Sequence, residues 1–309
     1  MKKTKMKLPP RLINRTIIIS MMLLVTSGGI AALPWEKAQQ ELLAQTKEEN
    51  NKTENSFTNM VVVADSALVM DALTGKIIFA KNINKQLPLA SITKVMTALV
   101  ASEINQPDTI ITVNAEALKE GSNAGLTAST WYLKDLLDFS LVTSSNGGAR
   151  AIAAASKKTS GQDFIKQMND KAINLGLSEI YFINPTGLDV GREYGGSYGT
   201  AHDVAKLFQF ILNQKPDLLI ATKEKSIQRQ TVNQLTYTGI NTNKLVGEIP
   251  GLIASKTGFT DNAGGNLAIA FDAGLRKPYI VVVLASTKEN RFVDVKKLVQ
   301  ATIEYQAIK

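Results

Sequence analysis

From position 60 onward the apolar residues recur in two rhythms, one of strands and one of helices. Residues 66–72 and 76–80 are short apolar runs joined at Thr74-Gly75, which predicts a hairpin. Behind Ser91, the residues Ile92, Val95, Met96, Leu99 and Val100 recur at helical spacing, predicting a helix with one side for the core. Pro88 restricts the chain entering that helix. A mostly helical stretch spans about 131–177 and is interrupted near 143–148; Trp131 and Tyr132 open its first helix as packing residues. Residues 183–189, "INPTGLD", and 191–199, "GREYGGSYG", read as loops, and Thr200 is placed to cap a helix to about 212.

Three apolar runs follow at 251–257, 265–272 and 278–285, linked closely enough for consecutive antiparallel pairing. The last segment, 289–307, carries Phe292, Val295, Val299 and Ile303 at helical spacing. The first hairpin and the last three runs together predict one antiparallel sheet of about five strands with helices on both faces, an α/β (α+β) fold. Both ends of residues 60–309 meet in that sheet, so this part is expected to be one domain.

The pattern before residue 60 differs. Lys2, Lys3, Lys5, Lys7, Arg11 and Arg15 open the chain without an acidic residue among the first fifteen, and residues 16–35 carry no charge. This is the pattern of an export signal, and its apolar length is near the ~20 residues of a membrane span. Residues 1–35 are therefore expected to be a signal or an anchor in the cytoplasmic membrane, with a possible cleavage site near Gly29-Ile30-Ala31. Residues 36–59, rich in Glu, Lys, Gln, Asn and Thr, read as a polar linker, with room for a short helix around Leu42 and Leu43. The bulk of the chain is thus expected outside the cytoplasmic membrane.

Composition narrows the chemistry. The 309 residues include no cysteine, which excludes thiolate catalysis, cysteine-ligated zinc and disulfides. The single histidine, His202, argues against a histidine metal cluster and reads as a helix surface or packing residue. No metal or cofactor is expected. The net charge of +8 lies mostly on the leader, and no basic platform interleaved with aromatics points to nucleic acid. A hydrolase built from this chain would rely on Ser, Lys, Asp or Glu.

Three short motifs supply such groups. Ser91-Ile92-Thr93-Lys94 puts a hydroxyl and an amine at i and i+3 of a helix, where they can touch. Ser144-Ser145-Asn146 falls at the helix interruption, and Lys256-Thr257-Gly258 falls at the end of an apolar run, just before a turn. Each alone is an ordinary cap or turn.

In this order the three motifs resemble the signature of the penicillin-recognising serine enzymes. "SALVMDALTGKIIFAKNINKQLPLASITKVMTALV", "NPTGLD", "GTAHDVAKL" and "SKTGFTDNAGGNLAIA" are similar to successive blocks of one branch, the low-molecular-mass penicillin-binding proteins, which are serine-type D-alanyl-D-alanine carboxypeptidases. The resemblance covers about 61–309 and implies the DD-peptidase and serine β-lactamase-like fold. It implies a peptidoglycan stem peptide as substrate and β-lactams as covalent inhibitors.

Chemistry gives each residue a part. Ser91 would be the nucleophile, and Lys94 its base once burial and the nearby Lys256 strip its proton. Ser144 would relay a proton to the leaving amine, and Asn146 would hold Lys94 and the substrate amide. Lys256 and Thr257 would bind the terminal carboxylate, while Gly258 would leave room for the substrate backbone. The helix start at Ser91 would stabilise an oxyanion; the resemblance implies the backbone N–H of Phe259 as second donor. Ser145, Phe259 and Thr186 depart from residues common in the branch, which bears on substrate preference and rate. The main rival is a D,D-endopeptidase with the same site. A β-lactamase would need a Glu and an Asn four residues apart; Glu179 and Asn184 are five apart and Glu193 has no such partner. A non-catalytic β-lactam sensor would be favoured by a missing key residue, and none is missing.

Overall fold

The computed structural model describes residues 37–41, 43–44 and 56–308. The expected signal or anchor at 1–35 lies outside the described residues, as does most of the linker. Residues 37–41 and 43–44 are exposed and helical, where the sequence left room for a short helix. Among the described residues no helix is long and apolar enough to cross a membrane.

The second unit, residues 53–309, contains everything that follows. Its strands and helices run β1 (Ser66–Asp71), β2 (Ile77–Lys81), β3 (Leu87–Pro88), a 3-10 turn (Ala90–Ile92), α1 (Thr93–Ile104), β4 (Ile110–Val113), β5 (Ser129–Tyr132), α2 (Leu133–Thr143), α3 (Asn146–Ser160) and α4 (Phe164–Asn174). They continue as β6 (Tyr181–Phe182), β7 (Ser197–Gly199), α5 (Ala201–Gln214), a 3-10 segment (Pro216–Lys223), β8 (Ser226–Gln230), β9 (Thr236–Ile240), β10 (Leu252–Thr260), β11 (Gly264–Asp272), β12 (Pro278–Ser286) and α6 (Asn290–Ile308).

The expected five-stranded sheet forms in the order β10-β11-β12-β1-β2, every pair antiparallel. Its strands are apolar on both sides because both sides are covered. Leu68, Met70, Ala268, Ala270, Ile280 and Val282 face one core with α1 to α5. Ala67, Val69, Leu267, Ile269, Val281 and Val283 face a second core with Phe292, Val295, Leu298 and Tyr305 of α6. Thr200 caps α5 as expected, its Oγ1 accepting from Asp203 N at 3.0 Å.

Three local expectations are corrected. Helix α1 is buried on all sides from Thr93 to Ala101, not along one stripe, because α2, α3 and α4 surround it. Its polar positions therefore point into protein. Trp131 and Tyr132 end strand β5 instead of opening a helix; Trp131 still packs, against Phe139 and Tyr237 at 5.5 and 5.0 Å. The end of "GREYGGSYG" is strand β7, paired with β3 and β6. The structure also adds two hairpins that the sequence pattern does not predict, β4–β5 and β8–β9. His202 sits half-buried in the first turn of α5.

Candidate active site

The 3-10 turn carrying Ser91 is clamped from two sides. Ala90 adopts φ +48°, and its carbonyl accepts from Thr93 Oγ1 at 2.6 Å. Gly187, at φ +76° in the 183–189 loop, lies so close that a Cβ there would stand 1.8 Å from Ala90 O. On the other side β10 passes the turn at Gly258, where a Cβ would stand 2.8 Å from Leu89 O and 3.2 Å from Ser91 N. The missing side chain of Gly258 therefore admits the Ser91 turn. The sequence expectation gave Gly258 to a substrate backbone; the same position also makes room for the chain's own turn.

Lys94 is one helical turn past Ser91 and only 2% exposed. Its Nζ lies 2.8 Å from Ser91 Oγ, donates to Asn146 Oδ1 at 2.7 Å and donates to Thr186 O at 2.8 Å. A neutral amine has two N–H groups and one lone pair. With both N–H groups on the two carbonyl oxygens, the lone pair is left for the Ser91 hydroxyl. Burial pushes the Lys94 ammonium well below its ordinary value, and Lys256 and Arg150 push it further the same way. Ser91 itself is half-buried.

The second motif is positioned by a broken helix. Ser144 takes the left-handed conformation, φ +60°, between α2 and α3. Ser145 Oγ accepts from Gly148 N at 3.2 Å, capping α3, and donates to Asn123 O at 3.1 Å. Asn146 N donates to Ser122 O at 2.9 Å, so the amide that holds Lys94 is braced from behind.

The third motif lies within β10, which continues to Thr260 and does not end at Thr257 as the sequence suggested. Lys256, 1% exposed, donates to Ser144 Oγ and to Thr257 O, each at 2.9 Å. Among the described hydrogen bonds, then, Ser144 is tied to Lys256 and not to Lys94. Burial, and after it the Arg291 guanidinium, lowers Lys256 from 10.5 to about 7. Arg291 is buried at the start of α6, and its Nη1 donates to Gly258 O at 2.5 Å. Phe259 follows with its ring half exposed and Lys288 over it at 5.3 Å.

The three motifs thus converge on one site from α1, the α2–α3 break and β10. Two half-buried serines, Ser91 and Ser144, each place a hydroxyl beside a buried amine. Such a site can activate a hydroxyl for attack, pass a proton and attract an anion. Among the described residues no group of three acidic or histidine side chains could hold a metal ion.

Sequence reasoning missed several contributors: the Thr186 carbonyl on Lys94, the cations Arg150 and Arg291, and Thr242, whose Oγ1 lies 2.6 Å from Thr257 Oγ1. A signal existed only for the first. Asn184-Pro185 marks a turn in which Asn184 Oδ1 accepts from the N–H groups of Thr186 and Gly187, turning the Thr186 carbonyl towards Lys94.

Comparison with known proteins agrees in extent with this unit. A family model described as D-alanyl-D-alanine carboxypeptidase matches residues 49–288. The chain is similar to D-alanyl-D-alanine carboxypeptidase DacF of Bacillus subtilis, 31% identical over 242 residues, which are 76% of this chain and 61% of that protein. It is similar to a D-alanyl-D-alanine endopeptidase of Pseudomonas aeruginosa, 30% identical over 246 residues, 77% of this chain and 76% of that one. Among solved structures, penicillin-binding protein D2 of Listeria monocytogenes in its cefotaxime-bound form matches with a TM-score of 0.69 at 29% identity, covering 79% of this chain and 98% of that chain. The chain spans about three fifths of the length of the first carboxypeptidases it matches.

Proposed function

The chain belongs to the D-alanyl-D-alanine carboxypeptidase family, and from that premise we propose that it is a serine carboxypeptidase removing the terminal D-alanine from peptidoglycan stem peptides. The observation that carries the reading is the buried Lys94 amine, 2.8 Å from Ser91 Oγ with two carbonyl oxygens for its protons.

Ser91 Oγ attacks the carbonyl carbon between the last two D-alanines while its proton passes to the Lys94 lone pair. The negative charge that forms on the carbonyl oxygen is met by the backbone N–H groups of Ser91 and Phe259. The C–N bond then breaks, and the leaving D-alanine amine takes a proton through Ser144, which Lys256 holds. Water cleaves the Ser91 ester and restores the hydroxyl. Lys256 and Thr257 receive the terminal carboxylate, and Asn146 holds the Lys94 amine in line. β-Lactams acylate Ser91 by the same first step, a reading supported by a relative whose structure is a cefotaxime-bound form.

A D,D-endopeptidase using the same site is the second reading, favoured by the similarity to a protein of that name. Residues 60–309 act as the catalytic domain outside the cytoplasmic membrane; the basic start and uncharged stretch 16–35 support export through a signal or anchor.

A fluorescent penicillin tests the assignment: wild type is tagged covalently and Ser91→Ala is not. Equal tagging of both removes Ser91 from its role. Cross-linked dimers beside free pentapeptides separate the two readings, since only an endopeptidase splits the dimer.

A further inference from the structure

Thr242 lies in the connection from β9 to β10, a segment with little freedom. Asn241 Nδ2 donates to Thr222 O and Glu224 O at 2.9 Å each, and Asn241 Oδ1 accepts from Asn243 N at 2.8 Å. Thr242 N donates to Val142 O at 3.1 Å, two residues before Ser144 on α2. Its side chain reaches the other wall, with Oγ1 2.6 Å from Thr257 Oγ1. One half-buried threonine therefore touches both the helix end that carries Ser144 and the strand that carries Lys256 and Thr257.

Counting protons gives this contact a direction. Each hydroxyl has one proton, and only one of the two can lie between the oxygens. If Thr257 donates to Thr242, its proton is used and it can only accept from a ligand. If Thr242 donates to Thr257, the Thr257 proton is free to point into the site. Among the described hydrogen bonds, the one other acceptor near Thr242 Oγ1 is Val142 O at 3.4 Å, at the weak end of hydrogen-bond distances. An arriving carboxylate offers only acceptors, so it selects the second arrangement, and donation by Thr242 polarises the Thr257 hydroxyl further.

We propose that Thr242 is a positioning residue for the substrate's terminal carboxylate, donating to Thr257 Oγ1 so that the Thr257 proton goes to the carboxylate. The proposal rests on the reading that Lys256 and Thr257 receive that carboxylate. It makes Thr242 selective for ligands with a free carboxylate, a property that mere support of the fold would not confer.

The experiment compares acylation by benzylpenicillin, which has the free carboxylate, with acylation by its methyl ester, which lacks it. Thr242→Val keeps the shape and removes the hydroxyl. Its second-order acylation constant falls about fivefold with benzylpenicillin, on the scale of one lost neutral hydrogen bond, because Thr257 loses the donor that orients and polarises its hydroxyl. With the ester it changes less than about twofold, and Thr242→Ser recovers the benzylpenicillin rate. With a peptide ending in D-Ala-D-Ala, KM rises while kcat stays nearly constant. Thr242→Ala gives the same pattern should valine crowd the turn. Equal losses on acid and ester, or no loss on either, overturn the role of Thr242 alone. Failure of wild type to be acylated by benzylpenicillin overturns the site reading and this proposal with it.

Discussion

The two faces of the five-stranded sheet treat buried charge in opposite ways. Under α6, Asp294 is fully buried and its carboxylate accepts from Val63 N and Ala64 N at 2.8 Å each and from Ser286 Oγ at 2.7 Å. It ties the start of the domain and the end of β12 to the last helix. On the other face, Lys94 and Lys256 are buried as deeply, yet their partners are hydroxyl, amide and carbonyl oxygens with no carboxylate among them. A buried ion that serves the fold receives a full set of partners. A buried amine denied a counter-ion and set near other cations loses its proton instead. The difference separates a residue that fastens the fold from amines whose part, in the proposed function, is chemical.

The largest expected effect comes from removing the amine nearest Ser91, the proposed nucleophile. Lys94→Met slows acylation of Ser91 by benzylpenicillin by about a thousandfold, within the range for loss of a general base. The melting temperature holds or rises, because an apolar side chain suits that buried position better than a desolvated amine. Acylation within tenfold of wild type would break the contrast, since Lys94 would then be a structural residue like Asp294.

The converse variant acts on the other face. Asp294→Ala leaves three donors without their acceptor and costs about 3 kcal/mol, or roughly 6–12 °C in a domain of this size. Acylation per folded molecule stays at the wild-type rate below the transition. A matching loss of reactivity would mean that the two faces are coupled, and thermal melts run beside stopped-flow acylation decide it.

The same contrast explains what the sequence could reveal. The sheet was legible because its strands are continuous apolar runs with tight connections, and the motifs because their order and flanks resemble a known family. The small sheets were not: β8 and β9 alternate exposed polar residues, β3, β6 and β7 are two or three residues long, and β3 pairs with β7 across more than a hundred positions. Lys94 could be named as a base, but its depth depends on α2, α3 and α4 closing round α1, which no periodicity in 91–100 encodes. Arg291 lies 33 positions from Gly258 and Thr242 lies 100 from Val142; neither belongs to a motif. Nor does the motif that contains Gly258 encode how closely β10 passes the Ser91 turn.

Removing the second amine gives a smaller, pH-dependent effect whose sign can be worked out. Lys256 titrates near 7 in the fold against 10.5 ordinarily. Below about pH 7 both states hold the proton, and the buried ammonium is a full penalty on the native state. Between about 7 and 10.5 the unfolded chain keeps a proton that the native state has shed, so stability rises with pH. The melting temperature of wild type relative to Lys256→Met therefore climbs from pH 7 towards pH 10. Loss of Lys256 also lets the Lys94 value rise, which shifts the acid limb of the acylation profile to higher pH. A flat difference across that range would show that Lys256 keeps its proton in the fold, making it a plain cation for an anionic ligand.

The smallest effect tests how far the far face reaches into the site. Arg291 belongs to α6, three residues before Asp294, yet its guanidinium bonds Gly258 O and is the second cause, after burial, of the lowered Lys256 value. Arg291→Met removes that cation and leaves the burial, so the climb in relative stability begins at a higher pH but still well below 10.5. Arg291→Lys keeps a positive charge at the same place and holds the onset near 7. The readout is the same series of melting temperatures, each variant paired with its own Lys256→Met double mutant to isolate the titration of Lys256. If Arg291→Met leaves the onset where it was, burial alone sets the amine, and α6 contributes scaffolding only. If the onset moves as expected, one helix serves both regimes within a single turn: Arg291 pushes a proton off the site, and Asp294 fastens the fold behind it.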